Sequence, residues 1–139
     1  MNVPKSKFGL IAGLIIAVAA VVFTIVLMNG TKQETEVLIT NKQIEITGQY
    51  GVTYQISEVS EVRLESTIPK INRKVNGSGL GDIKKGDFEV EGLGKCRLFI
   101  HAQSGPFVYI LVEDSYTIIN FEDGSKTEKL YEDLVEIIE

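Results

Sequence analysis

The sequence predicts an N-terminal transmembrane helix followed by a mainly antiparallel β domain, a curved sheet or barrel, closed by a C-terminal α-helix. Three observations carry this. Residues 8–28, "FGLIAGLIIAVAAVVFTIVLM", hold no charge. From Gln43 onward apolar side chains return at every second position, the period of a strand with one buried face. In residues 125–139 the period changes to that of a helix.

The apolar run comes first. As a helix it spans about 30 Å, the thickness of a bilayer's hydrocarbon core, and it satisfies its backbone polar groups internally. A cleaved signal peptide has an apolar region of only about 7–15 residues and then a small-residue cleavage site. Here the Ala-x-Ala at Ala17 and Ala19 lies inside the run, and a cut there leaves an apolar N-terminus. A buried core helix is the other alternative, but a chain of 139 residues hardly surrounds one. The reading is an uncleaved anchor: N-terminus 1–7, span 8–28, tether 29–35 and domain 36–139. Lys5 and Lys7 precede the span, whereas Lys32 follows it beside Glu34 and Glu36. The positive-inside bias then puts residues 1–7 in the cytoplasm and the domain outside a cell membrane crossed once. Gly9, Gly13 and Ala17 form a small-residue stripe of the kind that lets two helices approach closely in lipid, so a weak homodimer is expected.

Length allows one domain beyond the anchor. Without Lys5 and Lys7, 12 basic residues face 19 acidic ones, a net charge of −7, which makes nucleic acid a poor partner. Cys96 is the only cysteine, so no intrachain disulfide forms and packing must supply the stability.

The strands follow in order. Ile44 and Ile46, then Val52, Tyr54 and Ile56, then Val62 and Leu64, then Phe88 and Val90 each alternate with polar neighbours. "FVYILV" (107–112) and "YTIINF" (116–121) are continuously apolar, as strands covered on both faces are. Turn residues separate these runs in "TGQYG", "NGSGLG", "EGLGK", "QSGP" and "EDS". Many short strands at this spacing indicate a sandwich or barrel. In the last segment Ser125 is placed to cap a helix with Glu128 completing a capping box, and Leu130, Tyr131, Leu134, Val135, Ile137 and Ile138 share one face.

The order and spacing of "ITGQYG", "SEVSEVRL", "RKVNGSG", "GDFEVEGLGKCRLFI", "YTIIN" and "TEKLYEDL" resemble the bacterial pleckstrin-homology-like (bacterial PH) domains over roughly residues 44–134. The resemblance implies a curved sheet of seven or eight antiparallel strands closed by the C-terminal helix. It also implies a ligand or protein platform and no enzyme.

The residues themselves were weighed for chemistry. The glycines of "VNGSGLGDIKKGDFEVEGLGK" (75–95) do not make a phosphate loop, since Asp82 takes the last position of a G-x-G-x-x-G and a strand pattern follows. Asn76-Gly77 reads as a hairpin signal instead. Cys96 and His101 are five apart on one predicted strand and point to opposite faces, so they form no dyad. Cys96 shares parity with Leu98 and Ile100 and is expected to be buried, and His101 to sit at the surface or an edge. The acidic pairs Glu113–Asp114 and Glu122–Asp123 lack calcium-loop spacing, and His101 has no second histidine, so neither a metal nor another cofactor is expected. If the hairpin turns near Gly79, Lys70, Arg73 and Lys74 lie beside Lys84 and Lys85, a patch that invites an anion. The sequence thus predicts a membrane-anchored, non-catalytic binding or assembly module whose partner is a membrane or envelope protein. The alternative is binding of anionic lipid or envelope polymer through the basic residues of 70–85.

Overall fold

The computed structural model describes residues 5–138 and divides into two units, Met1–Gly30 and Thr31–Glu139. Helix α1 (Lys5–Lys32) accounts for the first. Its stretch Lys7–Val26 is long and apolar enough to cross a membrane. Large apolar side chains are exposed at 8, 10, 11, 14, 15, 16 and 18, which places them all round the helix. Its one hydroxyl within that stretch, Thr24, donates to the Ala20 carbonyl at 2.9 Å and so is satisfied within the helix.

The second unit holds two sheets and a helix. Strands β1 (Val37–Ile39), β2 (Gln43–Ile46) and β3 (Val52–Gln55) form an antiparallel meander. Strands β4 (Val59–Glu65), β5 (Ile71–Leu80), β6 (Ile83–Val90), β7 (Gly94–Ile100), β8 (Phe107–Val112) and β9 (Ser115–Ile119) form a six-stranded sheet in the order β4-β8-β9-β7-β6-β5. All its pairs are antiparallel except β7 with β9.

The expected closed barrel is not formed: no ladder joins the two sheets, or β4 to β5, among the described residues. The six-stranded sheet is nevertheless strongly curled, as one connection requires. Residues 66–70 link the outermost strands β4 and β5. Five interstrand steps of about 4.8 Å separate the edges of a flat sheet by about 24 Å, whereas this connector reaches at most about 20 Å. It crosses the concave face, where the Thr67 carbonyl accepts from the Tyr109 hydroxyl at 2.8 Å and Ile68 packs on the core.

That curl explains why β8 and β9 are apolar throughout. Phe107, Tyr109 and Ile118 point into the concave core with Phe88, Val90, Cys96 and Leu98. Val108, Ile110, Val112 and Ile119 point the other way, into a second core with Ile44, Ile46, Phe99 and the C-terminal helix. That helix, α2 (Gly124–Ile138), packs on β4 and β8 through Leu130 and Leu134, as its apolar period predicts.

Two local expectations are corrected. The cap of α2 is Asp123, whose carboxylate accepts from the Ser125 N–H at 2.9 Å while its carbonyl accepts from Lys126 and Thr127. Ser125 therefore lies inside the first turn, too late to cap it. The β5–β6 hairpin turns at Gly81-Asp82, not at Asn76-Gly77 or Gly79, because Leu80 pairs with Ile83. Gly81 has φ +60° and Asp82 has not, the pattern of a turn that needs glycine at its first central position.

Candidate functional site

The corrected turn redistributes the basic residues. Arg73 lies opposite Glu89 and is paired with it at 2.6 Å, and Lys74 lies opposite Phe88. Lys84 and Lys85 lie opposite Gly79 and Ser78. Five residues of β6 therefore separate Glu89 from Lys84, about 17 Å of strand. Lys70 lies just before β5, with its carbonyl accepting from the Glu91 N–H at 2.9 Å. Asp87 is held by Arg97 through two hydrogen bonds of 3.1 and 3.4 Å. The five basic residues do not form one patch. Lys84 stands instead at a cavity of about 220 Å³ at the mouth of the curl, beside Ile68, Ile71, Ile100 and Phe107.

The glycines serve strand contact. Gly77 and Gly86 face each other across β5 and β6, and a Cβ on either comes within 2.5 Å of the partner strand's backbone. Gly9, Gly13 and Ala17 lie exposed along α1, where a Cβ at either glycine meets no atom within 4 Å. Cys96 is buried, and burial pushes its thiol up to about 11, far from a nucleophile's range.

His101 is not at the surface: only 4 % of it is exposed. It and Lys85, 2 % exposed, close over the segment that the sequence reads as a tether. Lys85 Nζ donates to the Gln33 carbonyl, and Thr35 N–H donates to His101 Nε2 at 3.2 Å. Lys126 pairs with Glu34 at 2.5 Å. Asn120, fully buried, fixes the loop that presents His101. Its Oδ1 accepts from the His101 and Ala102 N–H groups at 2.8 and 3.2 Å, and its Nδ2 donates to the Ala102 and Ser104 carbonyls at 2.9 and 3.4 Å.

The docked segment leads into β1, which forms one wall of a groove of about 480 Å³ whose other wall is α2. Val37, Ile39, Phe121 and Leu130 give it an apolar floor, and Glu34, Glu36, Lys126, Lys129 and Asp133 a rim of both signs. β1 is an edge strand. Glu36 and Thr40 bond inward to Thr47 and Gln43. By the alternation of an antiparallel ladder, the N–H and C=O groups of Val37 and Ile39 then face away from β2, towards an open edge. Comparison of the chain with protein-family models, curated proteins and solved structures found no match. The groove's β1 wall could be recognised as a strand in "EVLIT", but the sequence carried no sign that α2 would lie beside it.

Proposed function

We propose that the protein is a single-pass, membrane-anchored binding module without catalytic activity, its domain on the extracytoplasmic side, and that the β1–α2 groove takes an extended segment of a membrane or envelope protein. The observation that carries this is an unpaired strand edge beside an apolar floor and a rim of both charges. An added strand gains main-chain hydrogen bonds from the edge, while its alternate side chains enter the groove. The mixed rim suits a protein chain, whereas an anionic surface asks for clustered positive charge, and here Arg73 is paired and Lys85 buried. The anchor and its orientation rest on the apolar stretch Lys7–Val26 and on Lys5 and Lys7 against Glu34 and Glu36.

The test is co-purification of the full chain from its own membranes in mild detergent. Leu38→Asp with Lys129→Glu, both at exposed positions, is expected to reduce recovery of the bound protein by about tenfold or more. Lys74→Glu with Lys84→Glu is expected to leave recovery unchanged. Loss with the second pair and not the first moves the site to the hairpin and overturns the groove.

A further inference from the structure

We propose that residues 33–35 form a proton-released latch: His101 holds this segment onto the domain while its ring is neutral and lets it go when the ring takes up a proton. The latch does not depend on what occupies the groove, although its Glu34 and Thr35 belong to the groove's lining.

The geometry is that of a closed clasp. Thr35 is 3 % exposed, and its N–H finds its acceptor in His101 Nε2 at 3.2 Å, with Thr35 Oγ1 at 3.3 Å from the same nitrogen. A ring nitrogen that accepts is unprotonated, and protonation turns it into a donor facing an amide donor. Asn120 holds the His101 and Ala102 N–H groups and so fixes the backbone from which the ring projects. The charged groups around the ring oppose a third cation on balance. Lys85 comes from β6 and Lys126 from α2, Glu34 on the segment itself acts the other way, and Asp82 and Glu122 line the open pocket beside it.

Burial foremost, then Lys85, lowers the ring's proton affinity from its ordinary value of 6.5, with Glu34 opposing and Lys126 adding a little. A histidine whose folded value is depressed stabilises the closed form fully above the unfolded value. That stabilisation is lost as pH falls below about 6.5 towards the folded value. A new charge on His101 also weakens the neighbouring hold of Lys85 on Gln33. Release adds three residues, about 10 Å of extended chain, between the apolar helix and β1, because the Glu36 carbonyl stays bonded to Thr47. Acid outside the membrane would thereby lengthen the domain's leash.

Hydrogen exchange of the full chain in lipid nanodiscs tests this, with rates corrected for the chemical effect of pH. Protection of the Thr35 amide is expected to fall by up to about tenfold per pH unit below the onset, while β8 amides stay protected. His101→Gln keeps an acceptor that does not titrate, and its protection is expected to be the same at pH 7.5 and 5.5. Equal protection of the parent at both pH values overturns the latch, as does an equal loss in His101→Gln. Should that variant lose β8 protection, the ring's own ¹⁵N shifts in the parent decide. They are expected to titrate in step with loss of Thr35 protection, and a ring that titrates while protection holds overturns the proposal.

Discussion

Gly86→Ala is expected to destabilise the β domain by about 3 kcal/mol or more, whereas Gly79→Ala on the partner strand changes its stability by less than about 1 kcal/mol. Both glycines lie in the β5–β6 hairpin, but their surroundings and their backbone conformations differ. Gly86 has φ +115°, and a Cβ there meets Asn76 O and Gly77 Cα at 2.5 Å. Both obstacles are backbone, so relief requires the strands to part, and Phe88 beyond them packs in the concave core. At Gly79 the nearest atom is Ile83 O at 3.7 Å, an ordinary contact. The chain has no tryptophan, and all five tyrosines lie in the β domain, so tyrosine fluorescence during urea unfolding of the detergent-solubilised chain reports on that domain alone. Equal midpoints for the two variants would contradict the close approach of the strands.

Asn120→Ala is expected to cost a comparable amount, about 3 kcal/mol or more. It removes four hydrogen bonds at once and strands the buried His101 N–H, worth about 1–3 kcal/mol when unsatisfied, together with the partly buried Ala102 N–H. It also frees the loop that presents His101, so protection of residues 101–104 and of Thr35 should be lost together in hydrogen exchange. A change below about 1 kcal/mol, or loss of protection confined to residues 101–104, would show that Asn120 does not support the latch.

Strand parity was legible in the sequence, and so was the apolar helix. Ile44, Ile46, Phe88, Val90, Cys96 and Leu98 are buried as their alternation indicates, and the double burial of "FVYILV" and "YTIINF" follows from their lack of polar alternation. What parity does not reveal is what covers each face. Lys85 alternates in step with Asp87 and Glu89 and so reads as a wet position. Its cross-strand neighbour is Phe99, and at that end of the sheet the segment 33–35 docks through Lys85 and His101. The same long-range docking buries His101, at the end of an apolar run where nothing local foretells a lid. Asn120 did carry a signal, since an amide inside a continuous apolar run must find partners. The hairpin register failed for a competing reason. Asn76-Gly77 is a good turn dipeptide, but Gly77 is needed opposite Gly86 for strand contact, and the turn moves to Gly81-Asp82.

The groove is tested most directly by site-specific photo-crosslinking of the full chain in intact membranes. A photoreactive residue in place of Lys129, on the groove rim, is expected to capture one protein, with the adduct mapped to an extended segment of it. The same residue in place of Lys95, at the exposed start of β7, is expected to capture none of it. Capture at Lys95 with none at Lys129 would contradict the groove as the binding site.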